Sequence, residues 1–366
     1  MKTKILRSAA ALPLLAVASP ALASSTVDTD STDKDRVVVI GHPDAVGTAP
    51  EAQGPAGMMG DHVHHVGEFM LGLTWSHERH DGANYTGTRK ASDAEIAAAG
   101  FTVRAKSMTM DMVMAHVMYA PNERITLMAM PMWMRMEMTM LGIAMPPMGT
   151  DHGGHHTLMP GETMTHAVSG IGDTKLGALV ALSRAPKLSA HAGLLVSAPT
   201  GSVSRKNDDG SYVHYGMQPG SGTWDLEPSL TLRGKLTDRL SWGAQASGVI
   251  RLDHTNRSGY ALGDRVAASV WTAARLDDRF SLSARLSYSD QGKIRGHYDG
   301  PHNHLSPPDR QANYGGQMVE AGLGANAVIA RGLTLGAEAN LPIHQDLNGF
   351  QLRKDFGLNF NISQTF

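Results

Sequence analysis

The sequence predicts an all-β protein, a transmembrane antiparallel up-and-down β-barrel of about 12 strands with a disordered N-terminal arm. Three observations carry this. Segments of roughly ten residues alternate apolar and polar side chains. Tight turns alternate with long polar loops along the chain. The last segment alternates Phe356, Leu358, Phe360 and Ile362 and ends on Phe366.

At the N-terminus, Lys2, Lys4 and Arg7 precede an apolar run from Ala9 to Val17, and Ala21 and Ala23 give the small-x-small pattern before Ser24. Residues 1–23 therefore read as a cleaved secretory signal peptide, its apolar run too short to cross a bilayer as a helix. Residues 24–66 are rich in Asp, Thr, Gly, Pro and Ala without periodicity, and read as a flexible periplasmic arm. The chain has no Cys, which excludes disulfide staples and thiolate metal chemistry, and its formal charge of −2 gives no footing for nucleic acid.

From 67 to 366 the dominant period is two. Phe69, Leu71, Leu73 and Trp75 oppose Glu68, Met70, Gly72 and Thr74. Leu282, Ala284, Leu286 and Tyr288 oppose Ser283, Arg285, Ser287 and Ser289. Apolar groups on one face and charged groups on the other fit a wall with lipid outside and water inside. Strands are expected at 67–77, 107–119, 125–140, 173–184, 188–197, 224–236, 240–252, 265–276, 280–289, 316–330, 333–345 and 351–366. The loops at 78–107, 141–172, 198–223, 253–264 and 290–315 would be extracellular, and the outer connection at Asn348-Gly349 is short. Expected partners are outer-membrane lipid and the barrel-assembly machinery, the latter through the terminal strand ending at Phe366.

Ser169-Gly170-Ile171-Gly172-Asp173 with Lys175-Leu176-Gly177, and Ala198-Pro199-Thr200-Gly201, resemble elements of the outer-membrane transporter family named for the meta-pathway of phenol degradation. The resemblance could cover 67–366 and implies a transport barrel in the cell outer membrane. The Met-rich second and third strands look like a copper-associated subgroup of that family.

Methionine is the departure from ordinary composition, with 22 residues. Met108, Met110, Met112, Met114, His116 and Met118 form one even-numbered row, and Met128, Met130, Met132, Met134, Met136, Met138 and Met140 form a second after the turn at Asn122. A tight turn there would pair Tyr119 with Ile125 and Val113 with Pro131. The odd face then carries an apolar belt flanked by Tyr119 and Trp133, as a lipid face does. The Met face accordingly points into the lumen, joined by Met70, Glu68, Glu320 and His191. Thioethers are soft, neutral ligands suited to Cu(I), and cross-strand spacing lets two or three share an ion. His152, His155 and His156 in the second outer loop could add to such a metal path.

The sequence thus points to transport or sequestration of a small solute, with copper ion in a Met-lined lumen as the leading reading and Cu(I) as the bound cofactor, and no organic cofactor. One alternative is a channel for small apolar or aromatic molecules, with Met as a pliable lining. Another is an outer-membrane lipid-modifying enzyme, but no Gly-x-Ser-x-Gly or nucleotide-binding glycine loop is present, and the expectation is that the protein is not an enzyme. Glu320 and Glu338 read as pore charges partnered by Arg233, Arg285 and Arg353.

Overall fold

The computed structural model describes residues 49–145, 158–185 and 187–366. The expected signal peptide, residues 24–48 of the arm, and His152, His155 and His156 lie outside the described residues.

Alternating segments form the wall because a strand with one apolar face and one polar face is stable only between two different media. The wall strands are β1 (Phe69–Gly87), β2 (Val103–Asn122), β3 (Ile125–Met130 and Met132–Gly142), β4 (Thr163–Ile171 and Thr174–Ala185), β5 (Leu188–Ala198), β6 (Asp225–Thr237), β7 (Leu240–Arg251), β8 (Arg265–Arg275), β9 (Phe280–Gln291) and β10 (Gly316–Ala330). The continuous element Leu333–Thr365 folds back on itself at Asn348-Gly349 to give β11 (333–347) and β12 (350–365). Gly349 adopts φ +61°, which the reversal requires. Thr334 Oγ1 meets Ser363 Oγ at 2.7 Å across this hairpin, and Lys354 donates its N–H to Gln345 Oε1 at 3.0 Å.

Every neighbouring pair is antiparallel, and β1 pairs with β2 on one side and with β12 on the other, so the sheet closes. The fold is the expected barrel. Leu71, Leu73, Leu127, Trp133, Leu230, Val270, Leu282, Leu286, Leu323 and Phe360 are exposed on the outer surface, while Met70, Met114, His191, Thr231, Ser283 and Glu338 on alternate positions are buried inside. No helix among the described residues is long and apolar enough to cross a membrane, and the strands do the crossing.

Three local features depart from the sequence reading. β1 runs to Gly87, well past 77, and the loop after it carries a short helix, Asp93–Ala98, with a Ser92/Glu95 capping box. Residues 163–171 extend β3's sheet rather than belonging to the outer loop. The β2–β3 register pairs Tyr119 with Leu127 and Val113 with Trp133, two residues from the expected pairing. The turn is longer because Asn122 Oδ1 accepts from the N–H groups of both Arg124 and Ile125. A slip of two preserves the faces, whereas a slip of one would have inverted them.

The sequence reading placed a periplasmic arm at 24–66. Residues 49–66 instead lie within the barrel. They enter beside the short turns, where Ser281 donates to Pro50 O at 2.8 Å and Ser241 to Glu51 O. They rise to Met59 and Gly60, whose carbonyls accept from Gln245. They then descend to Val66, whose N–H donates to Glu123 in the β2–β3 turn. Gly54 N–H donates to Asp61 Oδ2 at 3.1 Å and ties the two limbs of this loop together.

Candidate functional site: the lumen and its two covers

The two Met rows face one another across the β2–β3 hairpin, with Met108 opposite Met138, Met110 opposite Met136, Met112 opposite Met134, Met114 opposite Met132 and Met118 opposite Met128. All point inward, since Tyr119, Leu127 and Trp133 on the intervening positions are exposed. Pro131 can neither donate to the ladder nor continue it, so it divides β3, and its carbonyl accepts from Ala115 at 3.0 Å.

The rows are packed as two apolar clusters. Toward the short turns, Met70, Met114, Met118, Met128, Met130 and Leu179 are buried together, and Met59 and Val63 of the inner loop lie on them. Toward the long loops, Met136, Met138 and Met140 are buried with Val103, Leu158, Val213 and Met217. Val213 and Met217 belong to the loop 199–224, which therefore folds inward over the upper lumen. Met108, Met110 and Met134, packed against the upper cluster, and Met112 and Met132, packed against the lower one, remain only half-buried.

This packing corrects one expectation. Cu(I) as a bound cofactor is overturned, because among the described residues no group of three or more His, Asp or Glu side chains converges in a way that could hold a metal ion. The thioethers lie against Leu179, Leu195, Val63 and Val213 as packing groups. His116, the imidazole expected to continue the row, has Nε2 engaged with Thr74 Oγ1 at 3.0 Å, and Thr74 accepts in turn from Asn361.

The polar lumen is extensively paired. Arg285 forms a bidentate pair with Glu338 at 2.7 and 2.9 Å, and also donates to Asn340. Lys354 bridges Glu78 and Glu320 at 2.7 and 2.9 Å. Lys175 pairs with Glu227 at 2.8 Å. Of the partners expected for the pore carboxylates, Arg285 is correct. Arg233 meets the inner loop's Asp61 instead, and Arg353 lies over the Tyr85 ring. Gly57 lets the inner loop reach the Arg285 site. Its N–H donates to Glu338 at 3.0 Å, and a Cβ there would stand 2.7 Å from Asn359 Nδ2.

The outer loops form their own core. Tyr298 is stacked between Tyr212 and Tyr215, with ring centroids 4.3 Å apart on both sides. Val203, Tyr260 and Ile294 complete the cluster. Burial pushes the phenols of Tyr298, Tyr260 and Tyr314 upward, and of these Tyr298 donates its O–H to Val213 O and Tyr314 donates its O–H to Pro308 O.

Two of the cavities among the described residues adjoin the Met rows. One of about 270 Å³ is lined by Met58, Met59, Met130, Leu179, Leu195 and Gln245, together with strand residues on β6 to β10. The other, of about 400 Å³, is lined by Met140, Met164, His166, Lys206, Val213 and Asp309, among others. The second lies where the wall is interrupted. β4 breaks at Gly172-Asp173, its upper part pairs with β3 alone, and its pairing with β5 begins only at Thr174 opposite Ala198. Loop 199–224 covers that free edge, with Arg205 donating to Ser169 O at 3.3 Å.

A closed wall, greasy outside and polar within, surrounding a lumen covered at both ends, defines an outer-membrane β-barrel. The chain belongs to the family described as "Putative MetA-pathway of phenol degradation", which matches residues 132–318. The fold is similar to that of an outer membrane channel from Pseudomonas putida F1, with a TM-score of 0.56 at 15% identity over 84% of this chain and 98% of that one. A FadL homologue from Pseudomonas aeruginosa gives a TM-score of 0.40 at 12% identity, covering 82% of this chain and 90% of that one. No curated protein matches the sequence.

The inner loop and the anchoring of loop 199–224 were missed from sequence. For the first, the only available signal was the Gly- and Met-rich stretch Gly54–Gly60, which has the composition of the lumen it enters. For the second it was the Gly-Asp pair at 172–173, read only as part of the family resemblance.

Proposed function

We propose that the protein passes small apolar or aromatic solutes across the outer membrane, with methionine as the lining they touch. The supporting observation is the run of half-buried inward Met108, Met110, Met112, Met132 and Met134, which flank the two buried clusters and keep part of their surface open to the lumen. Thioether side chains are unbranched and adapt to differently shaped guests, which suits a weakly selective apolar surface. The apolar cluster beside the lower cavity, and Met140 and Met164 beside the upper one, continue that surface in both directions. Phe366, exposed and hydrogen-bonded through its N–H to Phe69 O, supports recognition of the terminal strand by assembly machinery.

Uptake of labelled toluene by intact cells tests the channel reading. Cells carrying the barrel should accumulate it faster than cells lacking it. A Met112→Asp, Met134→Asp variant inserted at equal abundance should lose that advantage. Equal uptake with and without the barrel would refute the proposal.

A further inference from the structure

We propose that residues 49–66 are a withdrawable occupant that carries counter-charge for the lower lumen, and that their retreat leaves a cationic exit, formed by Arg233 and Arg275, that favours small anions.

The wall holds this segment mainly by its main chain. Arg233 donates to the carbonyls of Ala52 and Asp61. Ser241 and Ser281 donate to Glu51 and Pro50, Gln245 to Met59 and Gly60, and Asn326 to Gln53 and Gly54. Most of these contacts run from wall donors to carbonyls of the segment, while the N–H groups of Gly57, His64 and Val66 donate the other way, to Glu338, Thr126 and Glu123. Any acceptor-rich guest could compete for the same groups.

The charges sort in the same way. Arg285, Lys354 and Lys175 are each paired with carboxylates of the wall itself. Arg233 and Arg275 differ, because their carboxylates come from the inner segment: Asp61 Oδ2 lies 3.6 Å from Arg233 and Glu51 Oε1 lies 3.5 Å from Arg275. Removing the segment removes both acids and leaves both guanidiniums facing the vacated passage. Rings or pairs of like charge at a constriction set the sign of the ion that passes.

The attachment is also poorly satisfied at one end. Glu51 is 1% exposed, yet neither carboxylate oxygen has a hydrogen-bond partner, and Arg275 Nε is likewise buried without one. A buried carboxylate held by charge alone retains much of its desolvation penalty. That lowers the cost of pulling this limb out, and places the point of release at the end nearest the short turns.

The inference rests on the channel reading but not on an apolar solute. Full-length protein in planar bilayers under a KCl gradient gives the test. A Glu51→Gln, Asp61→Asn double variant should shift the reversal potential toward that of chloride. Deletion of 49–66 should shift it in the same direction and raise the conductance several-fold. Adding Arg233→Gln and Arg275→Gln to either background should abolish the shift. Conductance with an unchanged reversal potential in both the double variant and the deletion would overturn this inference alone. Absence of conductance in every variant, the deletion included, would overturn the channel reading with it.

Discussion

Ser221 donates both its backbone N–H, at 2.6 Å, and its hydroxyl, at 2.7 Å, to Oδ2 of Asp173. Oδ1 of the same carboxylate accepts from Gly201 N–H at 2.9 Å. One side chain at the break in β4 therefore grips both ends of the loop that covers the upper lumen. Hydrogen bonds to a charged group contribute about 1.5–3 kcal/mol each. Asp173→Ala should release the loop and raise single-channel conductance, with Asp173→Asn intermediate. Wild-type conductance in the Ala variant would show that the loop is held by its Tyr298 core instead.

Met130 is fully buried in the lower Met cluster. Met130→Ala should destabilise the barrel by about 2–5 kcal/mol, while Met130→Leu should cost less than about 1.5 kcal/mol. Urea unfolding in detergent or lipid vesicles measures both. Equal, small losses would mean the cluster is loosely filled.

Glu338 is buried and answers Arg285 with both oxygens and Gly57 with one of them. Removing one member of such a pair leaves an uncompensated charge, at a cost of about 3–5 kcal/mol. Glu338→Ala should therefore lower stability by an amount in that range, and a compensating Arg285→Met should recover most of it. If the double variant is no more stable than the single one, the pair is not the source of the loss.

Leu286 and Ser287 are neighbours on β9 that face opposite media, the first exposed on the outer surface and the second lining the lower cavity. Arginine on the lipid face near the midplane costs about 2–4 kcal/mol. Leu286→Arg should show that penalty, and Ser287→Arg should show little. Similar penalties at both positions would contradict the assignment of faces.

Asp309, in the outer loops, is buried, which by itself would raise its pKa. His214 Nδ1 at 2.7 Å and the N–H and hydroxyl of Ser306 outweigh that and hold it below the ordinary carboxylate value. A carboxyl lowered on folding stabilises above its unfolded pKa and loses that contribution as pH falls through the folded value. Amide protection of residues 306–313 should hold from neutral pH to about 4 and then fall, after correction for intrinsic exchange. In Asp309→Asn it should be weaker and independent of pH over that range.

The wall was legible because strand faces alternate strictly and the two media are chemically opposite, so Leu282 and Ser283 announce their sides. The inward direction of the Met rows followed from Tyr119 and Trp133 on the intervening positions. The hairpin register was not legible to within two residues, because it depends on how Asn122 folds its turn. The inner segment was invisible for a different reason. Its grip is on main-chain carbonyls, which every residue supplies, so its composition looked like that of an unattached linker. Reading the thioethers as copper ligands treated donor type as sufficient, whereas here those side chains serve as packing against Leu179, Leu195 and Val213.

The seam between β1 and β12 joins the beginning of the wall to its end, down to Phe366 N–H on Phe69 O. This ring cannot be sealed until β12 has been synthesised and brought back to β1, the pairing of greatest sequence separation in the described wall. Loop-closure entropy is met only at that last step, so assembly should be slow and all-or-none. A half-made ring would offer two raw edges to acyl chains that cannot hydrogen-bond, so β1 and β12 must meet before, or as, the wall enters a bilayer.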